Sequence, residues 1–403
     1  MTDPSPEIRI GLCMQDVDAE QWDKLVKDQS PFLKHAFLLA LEQSGSVQAE
    51  SGWQPCHLVV MGSVSGRAQS SDGEKMLAAM PLYIKNNSYG EYVFDWGWAE
   101  AYQRYGQQYY PKLLTAIPFT PSQSPRVLIA EDETLQQWLL PIKQAVQSYA
   151  DKIDASSWHI LFPDLADAAA FQQTELIRRE ACQFHWQNKG YKTFDDFLAT
   201  FSSRKRKNLR KERADVSAQG ISFQCLEGGN IPEEIWDIFY RYYQNTYQIR
   251  GQQGYLTRNF FRLIDDNMPE SLFLIMASKA DKFVAGALFF KGADTLFGRY
   301  WGAEQDYDNL HFETCYYQGI EYCIQHGISL FDAGAQGEHK LRRGFEPVTT
   351  QSFHWIKEPA FRAAIADFCQ QEMEHVAAYR SEASEQLPYR KVDKLKDSQE
   401  QNC

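Results

Sequence analysis

The clearest pattern of hydrophobic and polar positions lies in the second half of the chain. Three short β-rich runs, "SLFLIMASK", "KFVAGALFFKG" and "TLFGRYWGA", are separated by the turn-like "ADK" and "GAD". Connections this short predict an antiparallel meander of three strands.

A helix and a fourth strand follow the meander. In "DNLHFETCYYQGIEYCIQHG", apolar residues recur at helical spacing between a capping Asp308 or Asn309 and a terminating Gly327. The next run, "ISLFDAG", predicts a strand. The predicted order is therefore strand, strand, strand, helix, strand.

The first half repeats this order more faintly. "CHLVVMG", "KMLAAMPLYIK" and "EYVFDWG" predict strands, "ETLQQWLLPIKQAVQSYADKI" a helix and "SWHILFP" a strand. We therefore predict an α/β protein with mixed sheets and two similar domains. Their predicted bounds are 1–175 and 176–385, and a charged tail follows over 386–403.

Composition and charge restrict the functional classes. The net charge of −12 excludes a protein coated everywhere in Lys and Arg, so an anionic partner must meet a local patch. Eight cysteines without a CxxC pair favour neither a zinc site nor a disulfide framework, and no metal is expected. The first residues lack a secretory signal, and the apolar runs are too short to span a bilayer. These features predict a cytoplasmic protein.

"SRKRKNLRKER", residues 203–213, is the strongest local charge signal, with seven cations and one acid. On a helix these cations point in nearly every direction and repel one another. A solvated helix end is the simple interpretation. In so acidic a chain the run favours an anion site, with a phosphorylated donor, a nucleic-acid backbone or a head group as candidates. The candidate residues are Arg204, Arg206, Lys207 and Arg210.

"FDAGAQGEHKLRRGF", residues 331–345, forms a possible catalytic corner. Asp332 ends a predicted strand, where α/β proteins place functional groups. His339 has the side chain whose pKa is nearest neutrality, and it could act as a general base. Glu338 and Arg342 have the spacing of a helix salt bridge, which is as good an explanation as catalysis. The two glycines match neither a Walker loop nor GxGxxG.

Aromatic residues mark a candidate substrate groove. Arg299, Tyr300 and Trp301 stand near the end of a predicted strand, and Trp96 and Trp98 belong to an aromatic-rich stretch. Such side chains could line a groove for a sugar, acyl or peptide group. Packing of helices on a sheet is the alternative.

Four long stretches resemble one known family. They are "SYGEYVFDWGWAEAYQRYGQQYYPKLLTAIPFTP", "SSRKRKNLRKER", "GRYWGAEQDYDNLHFETCYYQGIEYCIQHG" and "FDAGAQGEHKLRRGFEPVTTQSFHWI". In this order they are similar to the bacterial FemAB-like family of predicted N-acyltransferases. The resemblance runs from about residue 31 to 355.

This resemblance implies two tandem GNAT-like domains, the fold of acyl-CoA N-acyltransferases. It implies transfer of an acyl or aminoacyl group to an amine, with a cell-wall or peptidoglycan precursor as a candidate acceptor. Acyl-CoA is the favoured donor, and aminoacyl-tRNA is the alternative. The acidic loop at 302–310 departs from the Gly- and Arg-rich pyrophosphate loop of GNAT enzymes.

Position and charge then suggest roles within such a transfer. Asp332, Glu338 and His339 are the candidate bases. Lys340, Arg342 and Arg343 join the cations of residues 204–213 as candidate phosphate ligands. A different class of function is a non-catalytic module that binds an anionic ligand. An open groove between two diverging strands in one domain would favour the transferase.

Overall fold

In the computed structural model, the described residues are 6–27, 30–62, 74–335 and 337–390. Strands and helices alternate along most of the chain. The strands are β1 (Glu7–Leu12), β2 (Trp53–Pro55), β3 (His57–Gly62), β4 (Lys75–Met80), β5 (Tyr83–Lys85), β6 (Lys112–Thr115), β7 (Leu128–Ile129), β8 (Ser157–Leu161), β9 (Ile177–Gln187), β10 (Ile221–Glu227), β11 (Leu272–Lys279), β12 (Lys282–Lys291), β13 (Thr295–Ala303), β14 (Leu330–Asp332) and β15 (Glu346–Ile356).

Helices cover both faces of the sheets. They are α1 (Ala19–Val26), α2 (His35–Gln43), α3 (Trp96–Arg104), α4 (Leu135–Lys152), α5 (Leu165–Phe171), α6 (Phe194–Ala199), α7 (Ser203–Ala218), α8 (Glu233–Gln248), α9 (Arg258–Asn267), α10 (Leu310–Phe312), α11 (Gln318–His326) and α12 (Pro359–Glu385). One π turn, Glu313–Tyr317, joins α10 to α11, and a 3₁₀ helix spans Glu338–Arg343. Within these residues no helix is long and apolar enough to cross a membrane.

Two sheets form the described part of the protein. Eleven strands make a mixed sheet in the order β10-β11-β12-β13-β14-β9-β15-β8-β6-β5-β2, and four make an antiparallel sheet in the order β1-β3-β4-β7. The long β9–β15 pair joins strands of the second half to strands of the first. The two halves therefore share one continuous sheet, and the domain bounds at 175 and 385 stay predictions. Residues 391–403 of the predicted tail lie outside the described residues.

The second half follows the predicted order. β11, β12 and β13 form an antiparallel meander, the helices α10 and α11 follow, and β14 returns parallel to β13. One face of this sheet packs against α8 and α9, and the other packs against α6, α7 and α11. This alternation arises because side chains along a strand point to opposite faces.

The first half corrects one predicted strand. β6 and β8 form a parallel pair with α4 between them, so the same helical connection recurs. However, "EYVFDWG" is not a strand. Gly90 and Tyr92 have φ values of 79° and 61°, which a strand does not allow, and α3 begins at Trp96. The strand that pairs with β8 is instead Lys112–Thr115.

Close contact between α8 and β13 gives a test of this packing. A Cβ atom added at Gly302 would lie 2.0 Å from the backbone carbonyl of Tyr242, whereas one added at Gly97 would meet nothing within 4 Å. We expect Gly302→Ala to lower the free energy of unfolding by about 1–3 kcal/mol or more, because overpacked cores cannot relax. Gly97→Ala, the control in α3, should be neutral or stabilising by up to about 1 kcal/mol. Urea unfolding measures both, and equal effects would contradict the packing.

Candidate active site

The candidate active site lies where β13 and β14 separate. The two strands are paired only from Thr295 and Leu330 to Phe297 and Asp332. β14 ends at this point, whereas β13 continues to Ala303, and a bulge interrupts the β12–β13 pairing at Leu288 and Phe289. The result is an open gap beside the second half of β13.

Two adjoining cavities, of about 260 and 100 Å³, open at this gap. Both are lined by the end of β13, the first residue after β14 and the start of α10. The shared residues are Arg299, Tyr300, Trp301, His311 and Ala333. Three of the five residues that the sequence predicts for a substrate groove, Arg299, Tyr300 and Trp301, therefore line one continuous space.

Asp332 is buried at the apex of the gap and is fully engaged. Its Oδ2 atom accepts hydrogen bonds from Ser122 Oγ at 2.7 Å and Arg299 Nη2 at 3.0 Å, and its Oδ1 atom accepts from Gly334 N at 2.8 Å. Burial alone would raise the pKa of this carboxyl. The Arg299 charge and the other donors outweigh burial and lower the pKa of Asp332 to about 2. A carboxylate held in this way positions its neighbours and is a weak base.

Arg299 lines both cavities at the gap. Its guanidinium is almost completely buried, with 3% of the side chain exposed, and it pairs with Asp332. Its Nε atom has no hydrogen-bond partner among the described residues. A buried, oriented donor with spare capacity is the feature that stabilises negative charge developing on a reactant.

Lys340 is buried beside the gap. It is 1% exposed, and its Nζ atom donates to the carbonyl oxygen of Gly334. Burial lowers the pKa of Lys340 to about 8, although Asp332 nearby acts in the opposite direction. The sequence suggests Lys340 as a phosphate ligand, but its burial separates it from any phosphate at the surface.

Two imidazoles stand beside the smaller cavity. Burial lowers the pKa of His311 to about 3, and burial with the neighbouring Arg343 charge lowers the pKa of His339 to about 4. The Nε2 atom of His339 is 2.8 Å from the hydroxyl of Tyr316, which lines that cavity. Both rings are therefore neutral at physiological pH.

The other residues of the 3₁₀ helix have separate environments. Glu338 is exposed and accepts a hydrogen bond from Tyr379 of α12, and it forms no salt bridge with Arg342, which is also exposed. Arg343 is buried, with its guanidinium 3.4 Å from the Phe312 ring centroid and 2.8 Å from Glu212. Of the arginines in this helix, Arg342 alone is accessible to an anion.

The basic helix α7 presents exposed cations and adjoins this 3₁₀ helix. Its described salt bridges join Arg210 to Asp195, Arg213 to Glu313 and Glu321, and Glu212 to Arg343. The cations without a salt bridge among the described residues include Arg204, Arg206 and Lys207. The start of α7 follows Phe201, whose ring lies against Gly344. The two basic segments are therefore neighbours, although neither contributes a cation to the two cavities.

The predicted tryptophans divide between groove and core. Trp96 is 37% exposed and lines a third cavity of about 400 Å³. This third cavity shares Tyr92, Tyr247 and Arg250 with the 260 Å³ cavity at the gap, which is the central cavity of the four. Trp98 is buried, and its ring centroid is 4.9 Å from that of His354. Trp98 is therefore a core residue, because α3 turns its side chain inward. A fourth cavity, of about 440 Å³ under α12, meets the central one at Ala335.

The loop before α10 opposes a phosphate. Glu304, Asp306 and Asp308 are all exposed there. Anions are stabilised at helix N-termini, and three carboxylates at this one would repel a pyrophosphate. The described residues include no group of three His, Cys, Asp or Glu side chains that could hold a metal ion.

Comparison with known families decides the assignment. The FemAB-like family model, described as peptidoglycan biosynthesis/recognition, matches residues 13–391. The chain belongs to the FemAB-like family. The predicted family, its enzyme class of N-acyl or aminoacyl transfer, and its connection with peptidoglycan are thereby confirmed at the level of the family. No curated protein sequence matches the chain.

The crystal structure of FemX shows the same fold at low sequence identity. The crystal structure of FemX matches with 11% identity, 87% of this FemAB-like chain and 98% of FemX covered, and a TM-score of 0.52. L-PGS from Bacillus licheniformis has 12% identity, 84% and 96% coverage, and a TM-score of 0.47. A tandem GNAT protein from the clavulanic acid pathway has 10% identity, 88% and 99% coverage, and a TM-score of 0.46. The predicted fold class is confirmed.

Sequence reasoning missed several residues of this FemAB-like site. Ser122 contacts Asp332 across 210 positions of sequence, and His185 lies 3.8 Å from the same carboxylate. Tyr247 and Arg250 come from α8 and the turn after it. No local pattern marks these four residues, because only the tertiary packing of segments distant in sequence brings them to the gap.

The Asp332–Arg299 pair predicts an acid-sensitive stability. Because the folded pKa of Asp332 is about 2 and an unfolded Asp titrates near 3.9, its charge contributes about 2–3 kcal/mol above pH 4. This contribution is lost as the pH falls towards 2. We expect Asp332→Asn to cost about 3–5 kcal/mol at pH 7, since Arg299 is left unpaired in the interior.

The same substitution at an exposed salt bridge is the control. Asp195 pairs with Arg210 at the surface, so Asp195→Asn should cost less than about 1 kcal/mol. Urea unfolding at pH 7, 4 and 3 measures both variants. The deficit of Asp332→Asn should shrink at pH 3, and a deficit as small as that of Asp195→Asn at pH 7 would refute the pairing.

Proposed function

We propose that this protein transfers an aminoacyl or acyl group from an activated donor to an amine of a peptidoglycan precursor, with the reaction at the β13–β14 gap. One observation carries the proposal. The strands separate at Phe297 and Asp332 and leave Arg299, buried and incompletely bonded, facing a cavity. The cell-wall acceptor is proposed from the family.

The chemistry needs little covalent machinery from the protein. The acceptor nitrogen attacks the donor carbonyl carbon, the new C–N bond forms, and the C–O or C–S bond to the donor breaks. The leaving oxygen or sulfur takes up the proton that the amine releases. Only the neutral amine attacks, and an α-amino acceptor, with a pKa near 8, has a useful neutral fraction at pH 7 without a strong base.

Electrostatic stabilisation and positioning are the roles of the gap residues. Arg299 opposes the negative charge that develops on the carbonyl oxygen, and Asp332 fixes the guanidinium in place. Lys340 anchors the Gly334 carbonyl at the edge of the cavity. His339 and Glu338, proposed from the sequence as bases, are here supporting residues, with Tyr316 and Tyr379 as their partners.

The acceptor has a path to this point. The central cavity continues through Tyr92, Tyr247 and Arg250 to the aromatic cavity with Trp96. This groove lies between the loop before α3 and the end of α8, and so between the two halves. We place the acceptor here and the donor on the side of α7 and Arg342.

Charge distribution favours aminoacyl-tRNA as the donor. The exposed cations Arg204, Lys207 and Arg210 suit a polyanionic backbone. The carboxylates of Glu304, Asp306 and Asp308 stand where CoA enzymes hold the pyrophosphate. Acyl-CoA remains the second candidate because an acyl thioester fits a gap between diverging parallel strands. Either donor is a cytoplasmic molecule, and we place the protein in the cytoplasm.

The two donors predict opposite results in a binding assay. Aminoacyl-tRNA should raise the Tm of the protein, because a ligand that binds only the folded state stabilises it by mass action. Millimolar CoA and acetyl-CoA should leave Tm unchanged. A rise with acetyl-CoA and none with tRNA would reverse the assignment, and no rise with either would refute donor binding.

Charge reversal tests the basic helix directly. We expect the double variant Arg206→Glu, Arg210→Glu to weaken tRNA binding and to reduce the slope of log K against log salt by about 2, since each lost phosphate contact removes about 1. Arg262→Glu on α9 is the control, because Arg262, like Arg210, is exposed and salt-bridged, in its case to Asp266. Filter binding at several salt concentrations measures the slopes. Equal slopes for both variants would make α7 a solvated surface.

A further inference from the structure

In the first half, the chain itself closes the strand-end region that is open in the second. β6 and β8 are parallel, as β13 and β14 are. Beyond their paired residues, Ser124 forms a parallel bridge with Pro163, and Ser124 N donates to Phe162 O at 3.2 Å. Residues 116–127, which connect β6 to β7, therefore occupy the place where a gap would otherwise open.

Arg126 holds this connecting segment together. It is 0% exposed, and its guanidinium donates to the carbonyl oxygens of Leu161, Ser122 and Ser124 and to Ser124 Oγ, the last at 2.6 Å. Within the described residues it forms no salt bridge, although Asp167 accepts from its backbone N–H at 2.6 Å. Burying a cation is expensive unless hydrogen bonds within the protein replace those to water, and these acceptors do so. The side chain therefore serves to fix the path of the segment.

The same segment reaches the active site of the second half. Ser122 accepts from Arg126 Nη2 at 2.7 Å through its carbonyl and donates to Asp332 Oδ2 at 2.7 Å through its hydroxyl. Gln183 of β9 donates to Pro121 O at 3.0 Å and fixes the neighbouring residue. Three consecutive contacts thus run from Arg126 through Ser122 and Asp332 to Arg299.

We propose that Arg126 is a positioning residue of the second-half site, acting through Ser122 on the Asp332–Arg299 pair. The first half thereby supports the reaction site of the second half, while residues 116–127 close its own strand ends. The proposal rests on the proposed function only in treating this pair as catalytic. The coupling between the residues is a separate, measurable property.

The test is ¹³C NMR of the full chain labelled at Asp carboxyl carbons, with Asp332→Asn assigning the signal. The charged or titratable groups facing Asp332 are Arg299 from β13, His185 from β9 and Lys340 from the 3₁₀ helix. We expect Ser122→Ala to move the onset of the Asp332 titration upward by about one pH unit, because loss of a donor to the ionised form raises its pKa.

Ser124→Ala is the decisive variant. It removes one acceptor of Arg126 without touching Asp332, so it should move the same signal in the same direction by less. Arg126→Lys, where it folds, should move the onset of the Asp332 titration upward by more than Ser124→Ala does. Ser157→Ala is the control, a buried serine whose hydroxyl lies 2.8 Å from His159 Nε2, and it should leave the Asp332 signal unchanged.

The contrary result would show that Arg126 has only a structural role. Ser124→Ala would then lower Tm, as Ser157→Ala does, and would leave the Asp332 titration as in the unmodified protein. The NMR signal needs no donor or acceptor. A protein that binds neither tRNA nor CoA would therefore contradict the proposed function without altering this measurement.

Discussion

The short parallel pairing of β13 with β14 determines the form of the second half. Three residue pairs hold the strands together, and beyond them each strand must satisfy its backbone groups in another way. Asp332 does this at the apex, where it accepts from the Gly334 amide and from the Arg299 guanidinium. The ion pair tolerates burial because further donors complete the carboxylate. If only backbone groups lined the gap, it would hold no fixed charge close to a reactant.

The rest of the site depends on the ion pair between Asp332 and Arg299. β13 carries Arg299, Tyr300 and Trp301 to the wall of both cavities, while the residues directly after β14, Ala333 and Gly334, line the central cavity as well. The first half completes the arrangement through Ser122. The site is therefore a product of both halves, although its strand gap belongs to the second. The contribution of both halves to one site agrees with the continuous sheet, in which β9 and β15 join the strands of the two halves.

The local charge of α7 is opposite in sign to the net charge of the chain. The net charge is −12, yet α7 concentrates cations next to the 3₁₀ helix that borders the gap. Glu212 and Glu313 neutralise the inward-facing Arg343 and Arg213, and the exposed cations of the helix are Arg204, Lys207, Arg210 and Lys211. An acidic loop precedes α10. The cations of α7 and the carboxylates before α10 thus give an anion opposite electrostatic environments.

The sequence by itself determined the meander, the helix after it, the basic helix and the family, because these depend on local periodicity and on long stretches in order. It also placed Asp332 at a strand end. Only the tertiary structure decided which side chains are buried: Trp98, Lys340 and Arg343 are polar or aromatic residues whose environment depends on distant elements. The prediction of a strand over "EYVFDWG" was wrong because aromatic residues are typical of strands. In the structure, Glu91 and Asp95 both pair with the buried Lys112, and these two contacts fix a bent loop. Ser122 and Arg126 could not be found locally, since their partners lie in strands from elsewhere in the chain.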